Sequence, residues 1–228
     1  MEDSKKAKRV INTLTGPWEK RNLPKIASAL PKWVNPDHLT ILGILAAFII
    51  AISYWLTWYS IWWLWLTNFG LFLHWFADSL DGTLARVRHI EREKYGYFVD
   101  HICDTWTMFV SCLGIGLSPL MHISVAMLVA VSFFLLSTYV YIASYCLSVF
   151  RLSYGRLGPT ELRILIFALN VLLFFWNPAF IAFGSIPVTI PDISGFVVSG
   201  VFIAIFIVRS IRDAIKLDRE DRFKLTKS

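Results

Sequence analysis

The sequence predicts an all-α integral membrane protein, with six transmembrane helices preceded by an N-terminal amphipathic interfacial helix. Three observations lead there. Of 228 residues, 56% are hydrophobic and 17% charged, with a mean hydropathy of +0.58; a water-soluble domain of this length is rarely so apolar. The apolar residues gather into runs near the roughly 20 residues needed to cross the hydrocarbon core. All 22 Lys and Arg fall into segments that a six-span chain would bring to one face. The positive-inside rule makes that face cytoplasmic, together with both termini.

Residues 1–38 read as a cytoplasmic arm. Trp18, Leu23, Ile26, Ala27, Leu30 and Trp33, set among Lys20, Arg21, Lys25 and Lys32, suit a helix lying on the membrane surface. The first residues are charged and lack an apolar stretch, so no cleaved signal peptide is expected. Pro36-Asp37 supplies ordinary helix-start chemistry for the first span. The spans are placed at about 39–58, 61–81, 97–116, 124–147, 162–177 and 189–209, forming a six-helix transmembrane domain over 39–209. Basic residues occupy the arm (Lys5, Lys6, Lys8 and Arg9 included), the 86–94 loop, the 148–163 loop (Arg151, Arg156, Arg163) and the chain from Arg209 onward. The alternate loops carry none. Trp55, Trp58, Trp62, Trp63 and Trp65 gather at the first outer turn, as an aromatic belt would. The loop 178–192, with Pro178, Pro187 and Pro191, reads as a short structured turn, and residues 210–228 as a charged cytoplasmic tail continuing the last helix. Cys103, Cys112 and Cys146 lie in predicted spans without metal-ligand spacing and read as small apolar fillers. The net charge of +6 fits this topology and an anionic lipid surface better than nucleic acid, since no basic stripe with interleaved aromatics stands outside the spans.

Four aspartates stand where a membrane protein tolerates charge poorly. Each charge at membrane depth costs roughly 2.5–3.5 kcal/mol even on the lenient insertion scale. Asp78 and Asp81 are spaced i,i+3, and Asp100 and Asp104 i,i+4, so each pair shares a helix face. A nine-residue loop, 87–95, sets the two helices antiparallel and lets the four carboxylates converge at the cytoplasmic mouth of the bundle. Carboxylate oxygens suit hard cations such as Mg²⁺, Mn²⁺ or Ca²⁺, and the lack of Cys or a second His in the set argues against zinc. Gly82 and Ala85 leave room for a phosphate to approach the helix, and Arg86 offers a fork of donors to it. Gly96 is expected to start the second helix where it passes close to the first. A structural ion-pair network with Arg86, Arg88 and Arg92 would account for any one aspartate, but not for four with glycines beside them. The combination fits a nucleotide-diphosphate donor on the water side meeting a lipid on the membrane side.

The segment reads Asp-x2-Asp-Gly-x2-Ala-Arg-x9-Gly-x3-Asp-x3-Asp, from Asp78 to Asp104. It resembles the signature of the CDP-alcohol phosphotransferase family of integral membrane enzymes, with every fixed position filled. The resemblance implies a six-span homodimer whose site opens to the cytoplasm. It also implies two divalent cations, Mg²⁺ or Mn²⁺, held at Asp78, Asp81, Asp100 and Asp104, with Gly82, Ala85 and Arg86 holding the CDP moiety. The reaction implied moves a phospho-alcohol group from a CDP-linked donor to an acceptor hydroxyl and releases CMP. The position matching Asp104 is the family's usual candidate base. The run Asp100-His101-Ile102-Cys103-Asp104 is similar to the choline/ethanolamine phosphotransferase branch, where the matching His is the proposed base, and Gly158-Pro159-Thr160-Glu161 resembles a segment of that branch whose Glu reaches the active site. Ile102 replaces the glycine usual there.

The favoured reading is transfer from CDP-ethanolamine or CDP-choline to diacylglycerol. The alternative is CDP-diacylglycerol donating phosphatidyl to a small polar alcohol such as serine, glycerol phosphate or inositol phosphate. A basic pocket of Arg151, Arg156 and Arg163 would suit a phosphorylated acceptor, although these arginines serve equally as topology anchors. A divalent-cation transporter is the non-enzymatic alternative; it would place its charges at midplane on broken, repeated helices, and the sequence shows neither.

Overall fold

The computed structural model describes residues 14–147, 158–176, 181–183 and 186–225. The start of the arm (Lys5, Lys6, Lys8, Arg9), Arg151, Arg156 and Pro178 lie outside them. The described residues form α1 (Gly16–Ala29), α2 (Pro36–Leu56), α3 (Trp63–Val87), α4 (Glu93–Gly116), α5 (Ile123–Leu147), α6 (Pro159–Phe175) and α7 (Ile190–Leu225). A two-stranded antiparallel hairpin, β1 (Ile181–Phe183) and β2 (Ile186–Val188), pairs Ile181 with Val188 in the turn before α7. Among the described residues the fold is helical apart from this small hairpin, and each expected span falls on one helix, α2 through α7.

Three helices are long and apolar enough to cross a membrane: Pro36–Leu56, Ile123–Leu147 and Ile190–Phe223. The other three expected spans are not, among the described residues, for visible reasons. Helix α6 has 17 residues, while α3 and α4 carry Asn68, His74 and the four aspartates. Two boundaries move in consequence. Helix α3 runs to Val87, so Asp78 and Asp81 stand well inside a helix rather than at its end. Helix α4 starts at Glu93, which shortens the connecting loop to 88–92 and leaves Gly96 one turn inside the helix.

The α3–α4 turn is tight because it closes α3 with paired backbone bonds. Ile90 N–H donates to the Ala85 carbonyl at 3.0 Å and His89 N–H to Arg86 at 3.2 Å, with His89 left-handed at φ 57°. This is the Schellman arrangement, here with histidine where glycine is usual.

Helix α2 is the hub, packing on both α3 and α4, while α5 packs on α7 and α4, and α6 on α3. Its buried seam is small: Gly43, Ala46, Ala47 and Ser53 beside Ile50. Small residues permit close helix approach where lipid supplies no hydrophobic force between helices. At the end remote from the aspartates, the Tyr54 hydroxyl donates to Asn170 Oδ1 at 2.9 Å and Asn170 Nδ2 to Asn68 Oδ1 at 2.8 Å. All three residues are buried, so this chain joins α2, α6 and α3 with its polar groups satisfied. At the same end His122 and Thr189 close on the buried Asp192 at 2.8 Å, pinning the starts of α5 and α7 together. Trp55, Trp58 and Trp62 stay exposed at the α2–α3 turn.

Helix α1 docks on α3. Leu23 and Ala27 bury against Leu39, Leu80 and Leu84, with Ile26 and Leu30 partly covered, while Trp18 and Trp33 stand 53% and 72% exposed. The apolar stripe expected of the arm is thus divided between the bundle and the outside. Both ends of α1 are tied. The Arg88 guanidinium donates to the carbonyls of Leu30 (3.1 Å), Pro31 (2.9 Å) and Val34. Glu161 Oε1 accepts from Thr15 N–H at 2.8 Å and its hydroxyl at 3.0 Å, and Thr160 donates to Glu19 at 2.7 Å.

Candidate active site

Where α2, α3 and α4 meet near the α3–α4 turn, the helices leave a cleft. It is lined by Leu39, Thr40, Gly43 and Ile44 from α2, His74, Asp78 and Asp81 from α3, and Asp100, Cys103, Asp104 and Thr107 from α4. Its space is about 300 Å³ when the open solvent at its mouth is included. Helical periodicity explains the lining. Residues 74, 78 and 81 recur on one face of α3, and 100, 104 and 107 on one face of α4. Helix α2 closes the third side.

The four carboxylates are mutual electrostatic neighbours: Asp81 feels Asp78 and Asp100, and Asp104 feels Asp78, Asp100 and Asp81. Each is held differently. Asp78 Oδ2 accepts from Arg163 Nη2 on α6 at 2.7 Å. Asp81 accepts from Thr40 Oγ1 at 3.2 Å and from Gly82 N–H at 2.5 Å. Asp100 lies 3.6 Å from His101 Nδ1. Asp104 lies deeper, a turn short of Thr107, whose hydroxyl meets His74 Nε2 at 3.2 Å and bridges α3 to α4. The donor set is hard oxygen, which fits Mg²⁺ or Mn²⁺. Among the described residues no three His, Cys, Asp or Glu side chains stand close enough to hold one ion as they are now turned; Asp78 faces Arg163 and Asp81 faces Thr40.

Of the ten residues singled out from sequence, the structure gathers Asp78, Asp81, Asp100 and Asp104 in the cleft. Gly82, Ala85 and Arg86 follow along the next turns of α3 outside its lining. A Cβ at Gly82 would meet only the Arg86 guanidinium, at 3.5 Å, and Arg86 Nη2 donates to Thr83 Oγ1 at 3.0 Å. Gly96 departs from expectation: nothing lies within 4 Å of where its Cβ would be, so it makes no close helix crossing. His101 is not among the residues that line the cleft, although its Nδ1 stands 3.6 Å from Asp100 Oδ2. Its ring lies 4.1 Å from the Tyr97 ring and 4.9 Å from that of Tyr141, with Nδ1 2.7 Å from the Tyr97 carbonyl oxygen. The Glu161 carboxylate serves Thr15 and, through Oε2, the Gly158 N–H at 2.9 Å. Burial pushes that carboxyl up, but these hydrogen bonds outweigh it and hold it below the usual range.

Thr40, His74 and Thr107 were not singled out for the cleft, and Arg163, which pairs with Asp78 there, was named only for a basic acceptor pocket or as a topology anchor. His74 and Thr107 carry a local signal, lying four residues before Asp78 and three after Asp104. Thr40 carries none, and nothing local ties Arg163 to the aspartates, because only tertiary packing brings α2 and α6 to them.

The profile of the family described as CDP-alcohol phosphatidyltransferase matches residues 33–211, a stretch that runs from just before α2 into α7 and holds every residue of the cleft. The chain is also similar to cholinephosphotransferase 1 of Danio rerio, 28% identical over 169 residues, covering 68% of this chain and 42% of that protein. The chain therefore spans less than half the length of this relative.

Proposed function

The chain belongs to the CDP-alcohol phosphatidyltransferase family, and from that premise we propose that it moves a phospho-alcohol group from a CDP-linked donor to an acceptor hydroxyl, releasing CMP. The favoured pair is CDP-ethanolamine or CDP-choline with diacylglycerol; the cholinephosphotransferase likeness supports this choice. One observation carries the reading: all four signature aspartates line one cleft.

Asp78, Asp81, Asp100 and Asp104 would hold two divalent cations, Mg²⁺ or Mn²⁺, which when bound neutralise the pyrophosphate and the departing CMP. The chain does the rest. Gly82 and Ala85 leave the flank of α3 open beside Arg86, whose fork suits phosphate oxygens. Thr40 holds Asp81, and Thr107 with His74 fixes the depth at which Asp104 stands. Asp104 takes the proton of the acceptor hydroxyl, since it lines the cleft and His101 does not. Glu161 acts at a distance, holding the arm to α6. The cleft opens toward the basic, cytoplasmic face, and the working form is a homodimer in the membrane.

Purified protein in detergent with Mn²⁺, given CDP-ethanolamine and diacylglycerol, is expected to release CMP. Release only from CDP-diacylglycerol with a polar alcohol would reverse the donor and acceptor roles, and release from neither donor across an acceptor panel would leave the transporter reading ahead. His101→Ala should keep its rate within about threefold of the parent, whereas loss of a general base typically costs 10²–10⁴. A drop of that size in steady-state kcat would move the base to His101.

A further inference from the structure

Arg163 stands outside the Asp78–Asp104 signature, on a different helix, yet it reaches the cleft. Its Nη2 lies 2.7 Å from Asp78 Oδ2, with the guanidinium side chain 17% and the carboxylate 26% exposed. Four carboxylates crowd this cleft at the edge of the bilayer. An acidic cluster of this kind holds together only with positive charge among it. While Asp78 faces Arg163, no three acidic side chains among the described residues close on one ion. The same salt bridge thus stabilises the cluster and withholds one of its ligands.

We propose that Arg163 is the resident counter-ion of the cleft. It holds Asp78 when no divalent cation is bound and yields it when one binds, so cation and guanidinium compete for one carboxylate. The inference rests on the metal-binding reading above. Helix α6 is suited to the task because its first turn is anchored through Glu161 to Thr15 and Gly158. Arg163 is therefore delivered from a fixed base, and the exchange needs only side-chain rotation.

The test is Mn²⁺ binding to the purified protein, read by electron paramagnetic resonance without substrate. Arg163→Gln should bind Mn²⁺ about tenfold more tightly than the parent, matching the loss of a charge-assisted bond. The same variant should have a lower thermal midpoint without metal and a larger rise on adding Mg²⁺. Arg163→Lys keeps the charge but loses the planar fork. Its affinity should rise by a smaller step, about two- to threefold, which separates competition for Asp78 from the general field of the site. Lysine also keeps the test open if the glutamine variant does not fold. If neither variant binds Mn²⁺ more tightly than the parent, the proposal is wrong while the site reading stands. If the parent itself binds no Mn²⁺, both fall.

Discussion

Asp104→Asn and Asp78→Asn are each expected to lower CMP release by about 10³-fold or more, with little change in fold. Asparagine matches aspartate in size, so packing in the cleft survives. What it loses differs at the two positions. On the roles proposed above, the change at Asp104 removes both a cation ligand and the base, and a general base alone typically supplies 10²–10⁴. At Asp78 it removes a proposed ligand and leaves Arg163 without its carboxylate, so the cleft gains net positive charge where the proposed cations would bind. Weaker Mn²⁺ binding should accompany the Asp78→Asn loss. Asp218→Asn is the control: it breaks only an exposed i,i+4 pair with Arg222 on α7, worth a few tenths of a kcal/mol, and should turn over like the parent. Rates are compared at saturating Mn²⁺, with helicity and elution volume as checks of folding. An Asp104→Asn protein keeping more than a tenth of parental activity would rule out Asp104 as base.

The sequence revealed most about what is local. The i,i+3 and i,i+4 spacings of Asp78/Asp81 and Asp100/Asp104 place each pair on a face, and the faces do meet. The helix runs were legible because apolar length is a one-dimensional property. Their ends were less so: α3 continues six residues beyond the expected limit at 81, since its aspartates are paid no heed by backbone geometry and the stop comes only at the Schellman turn around His89. Side-chain direction was legible only in part. His101 is near Asp100 and Asp104 in sequence, but its ring joins Tyr97 and Tyr141, and Tyr141 arrives from α5 forty residues later. Arg163 reads from sequence as a topology anchor, and only the packing of α6 on α3 makes it a partner of Asp78. Glu161 likewise found its partner, Thr15, at a separation of 146 residues.

Gly114→Ala should damage the protein although it lies remote from the chemistry. A Cβ there would fall 2.3 Å from Ala51 Cα and 2.7 Å from the Ala51 carbonyl oxygen. These are backbone atoms, so no side-chain rotation relieves the clash; α2 and α4 must separate. In an unconstrained helix interior, alanine would gain about 1 kcal/mol over glycine. Here overpacking costs about 1–3 kcal/mol, and more when a helix has to move. Separation also has leverage. Gly114 lies ten residues beyond Asp104, about 15 Å along α4, so a small spread at the crossing re-aims the aspartates against Thr40 on α2. The variant should therefore show a lower thermal midpoint, reduced CMP release and weaker Mn²⁺ binding together. Gly96→Ala supplies the contrast, because its Cβ would enter open space. Its thermal midpoint should hold or rise. Activity lost from Gly96→Ala at unchanged stability would mean that the space beside Gly96 is occupied by substrate rather than by a neighbouring helix. An unchanged thermal midpoint in Gly114→Ala would mean that α2 and α4 are not in backbone contact there, and the cleft they frame would have to be rebuilt.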